Sequence, residues 1–271
     1  MNYKPIIIVA GQPKSIFFEI FFKTLTKRKI KSPIILIACN EILKSHIKKF
    51  KFKKKIKLLN FNLLKEYELN NDSINLINVK YHISKSLKKN SINSNKYIKN
   101  CFNIAFKIIR SKITDKFING PISKKEFLNK KFLGITEYIA DHFSSKKISM
   151  LIYNKKLSVC PITTHLPLKH VVKKINKKSI SEKVVLIDKF FKKKIGFKPK
   201  IAILGLNPHC ESVDKFNEDE KILKPIIKSL IKLNYKVSGP HSADTIFLKN
   251  NRKNYNVIIG MYHDQVLTPI K

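Results

Sequence analysis

Short runs of β-branched apolar residues recur along this chain, each followed by a longer segment with helical spacing. Ile6-Ile7-Ile8-Val9 precedes a helical pattern from about Ser15 to Leu25, and Pro33 to Ala38 precedes NEILKSHIKKF. This alternation predicts an α/β fold built on a mostly parallel sheet. Between about residues 51 and 90 the pattern reduces to short strands, KIKLLN and INLINVK, set among polar loops. From Ser94 to Arg110, Tyr97/Ile98, Cys101/Phe102, Ile104/Ala105 and Ile108/Ile109 recur every three to four residues, which predicts an amphipathic helix. A further helix is expected to open on a Ser179/Glu182 capping box and to stop at Gly196. Another, over 218–233, opens with Glu218-Asp219-Glu220, acids suited to the positive end of a helix dipole.

At 271 residues and 43% apolar composition, the chain can bury a core of one large domain or two lobes. No run of eighteen apolar residues exists, and MNYKPIIIVAGQP lacks the charged and apolar regions of a cleavable leader, so a cytoplasmic protein with no membrane partner is expected. Cys39, Cys101, Cys160 and Cys210 form no C-x-x-C pair and lie in or beside apolar stretches; disulfides are not expected. The formal charge of +38 comes almost entirely from lysine, with Arg28, Arg110 and Arg252 as the arginines. Base readout and bidentate phosphate contacts favour guanidinium, so KFKKK and FFKKKIGFKPK are read as solvated faces and nucleic acid is not the expected partner. Lysine, isoleucine and asparagine are enriched together, as an AT-rich coding sequence would produce. The chain has seven glycines and neither G-x-G-x-x-G nor G-x-x-x-x-G-K. A dinucleotide, if bound, is not held by the usual phosphate turn.

The last residues, GMYHDQVLTPIK, place a histidine just beyond the apolar run Val257-Ile258-Ile259. Two other segments do the same: LSVCPITTHLPL runs into His165 and IAILGLNPHCES into His209. Ligands of open α/β sheets collect outside the carboxyl ends of the strands, so His165, His209 and His263 are candidates to converge. Three neutral imidazoles around a divalent cation would leave a position open for water or substrate. Taken singly, such a histidine is more often a satisfied loop or core residue than a ligand, and it is the recurrence at three strand ends that raises the metal reading. His46, His82, His142, His170 and His241 are placed on helices or loops with packing or surface roles, His241 in SGPHSADT being the one beside Asp244. In FINGPISKKEF, Gly120 and Pro121 force a tight exit, while Ser123 and Lys124 open a helix whose amides favour an anion, or simply cap it. Asp244 and Asp264 are candidates to orient the histidines or to act as acid or base; Asp244-Thr245 reads equally as a turn.

In order, GPISK (120–124), TTHLPL (163–168), GLNPH (205–209), ADT (243–245) and MYHDQ (261–265) closely resemble the 4-hydroxythreonine-4-phosphate dehydrogenase (PdxA) family of pyridoxal phosphate biosynthesis. The resemblance runs from about Ile6 to the last residue. It implies a two-lobed α/β/α subunit like isocitrate and isopropylmalate dehydrogenases: residues 1–271 as one catalytic unit, in a homodimer with active sites at the subunit interface. It also implies NAD-dependent oxidation of 4-phosphooxy-threonine, a phosphorylated amino acid, with decarboxylation to 3-amino-2-oxopropyl phosphate. The family's metal ligands fall on His165, His209 and His263, its substrate threonine on Thr136 and its substrate lysine on Lys271. Zinc suits three imidazoles best, with magnesium, manganese or cobalt also compatible.

Three departures accompany the resemblance. Ile135 stands where the family's G-H-T-E pattern has histidine, and GQPKSIFFE replaces a glycine-rich first loop. The chain also stops before a family segment that supplies an asparagine and an arginine to substrate, which suggests a C-terminally incomplete product. Two other readings stay open on the residues alone: a three-histidine metal-dependent hydrolase or lyase without nicotinamide, and a lysine-driven nucleic-acid binder.

Overall fold

A computed structural model of the chain describes residues 3–82, 87–128, 131–132, 134–145, 147–213 and 216–270, without the side chains of 87–91. The chain divides into two compact units, Met1–Lys131 and Phe132–Lys271.

In the first unit, the strands are β1 (Ile6–Val9), β2 (Ile34–Ala38), β3 (Ile56–Leu58), β4 (Ile74–Asn78) and β5 (Lys116–Asn119). The helices are α1 (Phe17–Lys27), α2 (Asn40–Lys49), α3 (Leu87–Arg110) and α4 (Lys124–Phe127). Every strand pairing is parallel, in the order β3-β4-β2-β1-β5. Every residue of β2 is buried, as an unbroken apolar run predicts for a strand covered on both faces. Phe17, Phe18, Phe21 and Phe22 of α1 close one face against Ile8, Leu36 and Leu76. His46 takes the packing role expected of it, its ring 4.8 Å from that of Phe18. The amphipathic helix α3 begins at Leu87, seven residues before the expected Ser94, because the lysine-rich and asparagine-rich lead-in lacks the apolar spacing that marks its body.

The second unit has α5 (Ile135–His142), β6 (Ser158–Pro161), α6 (Lys177–Phe190), β7 (Ile201–Leu204), α7 (Lys224–Lys232), β8 (Val237–His241), α8 (Lys249–Arg252), β9 (Val257–Gly260) and α9 (His263–Leu267). Its sheet is again parallel, in the order β6-β9-β7-β8, so the last strand enters between two earlier ones. Side chains alternate between its faces: Val257 and Ile259 join one buried cluster with Ile201, Ile203 and Ile187, while Ile258 joins another with Val159, Ala202 and Val266.

Three expectations are corrected in this unit. Helix α6 is capped by Asn176, whose Oδ1 accepts from Ser179 N at 3.0 Å while Ser179 Oγ accepts from Asn176 N at 3.2 Å. Ser179 is therefore the third helical residue rather than the cap, and the box is Asn176/Ser179. The helix then continues through a π turn, Phe191–Ile195, to left-handed Gly196 (φ 97°), the stop expected from sequence. The 218–233 segment opens as a π turn, Asp219–Leu223, and Asp219 points to the preceding loop instead of serving the helix dipole. His241 lies at the end of β8 and not on a helix or loop. Among the described residues, no helix is long and apolar enough to cross a membrane.

Candidate functional site

Because the sheet of the second unit is parallel and β9 sits between β6 and β7, the carboxyl ends that precede His165, His263 and His209 lie side by side at one edge. The chain after β6 stays bound to the end of β9. Ile162 N donates to Gly260 O at 2.8 Å, and Thr163 reaches Met261 O through its N–H at 3.2 Å and its hydroxyl at 2.8 Å. These bonds carry His165 to His263, with ring centroids 6.0 Å apart. His263 is the first residue of α9, and its Nδ1 lies 2.7 Å from Asp264 Oδ1. A proton held between those two atoms leaves Nε2 as the free ligating nitrogen.

His209 is presented differently. It follows the end of β7 by five residues, more than the three or so expected, in the turn Pro208–Cys210. His209 (φ 54°) and Cys210 (φ 63°) both adopt left-handed backbone, at a cost of roughly 1–2 kcal/mol each. Such conformations persist only where the surroundings impose them. The His209 side chain is 75% exposed, with Nδ1 3.8 Å from Asp244 Oδ2. Asp244 Oδ1 accepts from Ser242 Oγ at 2.7 Å. That hydroxyl, with His209 nearby, holds the Asp244 carboxyl below its ordinary pKa.

The start of α5 also reaches His165. A β-carbon on Gly134, the buried N-cap, would stand 3.6 Å from His165 Nε2 and 2.8 Å from Glu137 Oε2. Thr136 is exposed in that first turn, and Ile135, in the position where the resemblance expects histidine, is half-buried. Glu137 Oε2 is buried with no hydrogen-bond partner among the described residues, and it borders the same space beside Gly134 as His165 Nε2. Sequence reasoning passed over Glu137, although it stands within the GITEY motif.

The structure thus joins His165, His263, Asp264 and the first turn of α5, and separately joins His209 to Asp244. Among the described residues, no three histidine, cysteine, aspartate or glutamate side chains gather closely enough to hold a metal ion. The donor chemistry nevertheless fits a cation. Two imidazoles on a shared tetrahedral ion have centroids about 5 Å apart, given a metal–nitrogen distance of about 2.0 Å, and the observed 6.0 Å is about an ångström longer than that spacing. The carboxylate at His263 and the orphaned Glu137 oxygen supply the anionic surroundings.

Lys124 is exposed at the start of α4 in the first unit; this helix is a single turn, too short to present the row of amides an anion site needs. Lys271 lies outside the described residues. At the ends of β1 and β5, where the strand order reverses, the backbones are drawn together: a β-carbon on Gly120 would fall 2.2 Å from Ala10 O, and one on Gly11 2.4 Å from Pro121 O. Gln12 N donates to Pro121 O at 2.8 Å, and Ser123 N to Gln12 Oε1 at 3.3 Å. A phosphate turn of the usual dinucleotide kind does not fit there.

The family model described as "Pyridoxal phosphate biosynthetic protein PdxA" matches residues 29–271. A 4-hydroxythreonine-4-phosphate dehydrogenase of Sulfurihydrogenibium sp. (strain YO3AOP1) is 36% identical, over 97% of this chain and 81% of the relative. One of Wigglesworthia glossinidia brevipalpis is 34% identical, over 98% and 81%. The crystal structure of the Klebsiella pneumoniae 4-hydroxythreonine-4-phosphate dehydrogenase shares the fold, with a TM-score of 0.82 at 23% identity over 98% of this chain and 84% of that one. With strand-end motifs, parallel sheets and relatives matched over nearly all of this chain in agreement, the chain belongs to the PdxA family of pyridoxal phosphate biosynthetic proteins.

Proposed function

We propose that this chain oxidises 4-phosphooxy-L-threonine at its C3 alcohol and releases carbon dioxide to leave 3-amino-2-oxopropyl phosphate. The product feeds pyridoxal phosphate formation in the cytoplasm. The observation that carries this reading is the pairing of His165 with His263 at the sheet edge that also receives the His209 loop, in a chain whose relatives over 97% and 98% of its length are named for that activity.

In this reading His165, His209 and His263 hold a divalent cation, zinc by ligand type, which supplies Lewis acidity toward the alcohol oxygen, while NAD supplies the hydride acceptor. The chain's own residues orient and bind. Asp264 fixes the tautomer and direction of His263, and Asp244 stands to do the same for His209. Thr136, exposed in the first turn of α5, contacts substrate. Lys271 neutralises a substrate phosphate or carboxylate by resemblance to the family, and Lys124 enters from its motif. A homodimer with interface sites follows from the same resemblance.

The test is turnover of the purified chain with 4-phosphooxy-L-threonine, NAD and added divalent cation. Reduced nicotinamide and carbon dioxide should form in equal amounts, and His263→Ala should abolish both. Unchanged turnover in His263→Ala would refute the metal assignment. Cation-dependent consumption of substrate without reduced nicotinamide would refute the dehydrogenase.

A further inference from the structure

The His209 turn raises a question that its ligand role does not answer: what holds an exposed imidazole on strained backbone in one place? The strand before it is followed by Gly205, where no side chain fits, because a β-carbon would sit 2.6 Å from Cys210 Sγ and 2.9 Å from Asp219 Oδ1. Asp219 is fully buried, and its carboxylate faces back into this loop. Oδ1 accepts from Leu206 N at 2.8 Å, while Oδ2 accepts from Asn207 N and from Asn207 Nδ2, each at 3.0 Å. The remaining Asn207 amide hydrogen goes to Glu218 Oε2 at 3.0 Å. Two carboxylates on the next element therefore clamp the residue two places before His209. The turn closes with Cys210 N donating to Asn207 O at 3.1 Å. On the other side, Gln265 Nε2 donates to Gly205 O at 2.8 Å and its Oε1 accepts from Met261 N at 2.7 Å, tying the end of β7 to the strand end that carries His263.

We propose that Asp219, acting through Asn207, is a positioning residue that fixes the His209 imidazole for a divalent cation, and that Gln265 sets this loop in register with His263. The inference rests on the metal reading above. A buried carboxylate costs stability unless its lone pairs are filled, and here they are filled by the loop that must be held rather than by a cationic side chain. The sequence signal is the spacing of GLNPH and the following NEDE, which composition alone assigns to a helix dipole.

The check is a titration of the metal-free protein with Co2+, followed by visible d–d absorption, which reports coordination rather than turnover. Asp219→Asn keeps size but turns an amide toward backbone donors. It should weaken Co2+ binding roughly ten- to hundredfold with native circular dichroism, and saturating Co2+ should restore the parental spectrum. His209→Ala should lose the parental spectrum at any Co2+ concentration. Parental affinity in Asp219→Asn beside lost affinity in His209→Ala overturns the positioning role and leaves the metal reading standing. Parental affinity in His209→Ala overturns the metal reading itself. If Asp219→Asn does not fold, Asn207→Ala decides the matter, since it keeps the backbone donors on Asp219. A loss of roughly fivefold or more, the worth of about one hydrogen bond, supports the proposal, and parental affinity overturns it.

Discussion

His209 follows one strand of the second unit's sheet and His241 ends another, yet their surroundings give them opposite work. His209 is 75% exposed on strained backbone, with Asp244 3.8 Å from its Nδ1. His241 is half-buried, its Nε2 2.8 Å from Ser238 Oγ and 3.2 Å from the Tyr255 hydroxyl. Burial lowers the His241 pKa from its ordinary 6.5, because charging the ring would cost solvation that two hydroxyls replace only in part. The sign follows from linkage: the unfolded chain binds the proton at higher pH than the folded one. The stabilising contribution is therefore fully present above about pH 6.5 and is lost as pH falls through the folded pKa. Thermal melts across this window should show stability declining on acidification, and His241→Asn should flatten that decline. An unchanged slope in His241→Asn would assign the proton uptake to another group.

At the scale of elements, the Asn176/Ser179 box is the sort of local device that sequence shows only in part. Asn176 fills an otherwise orphaned amide of α6, so Asn176→Ala should cost about 1 kcal/mol, read as a lowered denaturation midpoint in urea with an unchanged slope. A change in slope instead would mean that the helix end frays. The pattern Ser-x-x-Glu was visible and misled, because asparagine caps as well as serine and stood three residues earlier. The strands themselves were legible: β1, β2 and β7 lie within the apolar runs that announced them and β9 extends its run only by Gly260, since parallel strands buried on both faces need unbroken apolar sequence. Strand order was not. That β9 returns between β6 and β7 depends on contacts across about a hundred residues, and this return is what sets His263 beside His165. Candidate ligands could be found because histidine after a strand is a local pattern. Glu137, Asp219 and Gln265 could not, since a carboxylate or amide shows its partner only once the loop around it has folded.

For the molecule as a whole, 56 basic and 18 acidic side chains leave a formal charge of +38, carried here by a member of the PdxA family. The pairs Lys23–Glu19, Lys192–Asp188 and Lys224–Glu220 are all neighbours one helical turn apart. Contacts of this kind stabilise their own helix slightly and do nothing to offset repulsion between distant lysines. Self-repulsion of the folded state is then a term that salt relieves, because the screening length falls from roughly 30 Å at 0.01 M to about 8 Å at 0.15 M. Raising sodium chloride across that range should increase the melting temperature by roughly 2–4 °C, what about 1 kcal/mol does in a chain of this size. Potassium chloride should act equally, since screening depends on ionic strength and not on the identity of the cation. A melting temperature that falls with added salt would mean that attractive pairs outweigh the repulsion, and the lysines would then have to be organised against the carboxylates far more closely than one-turn helix contacts allow.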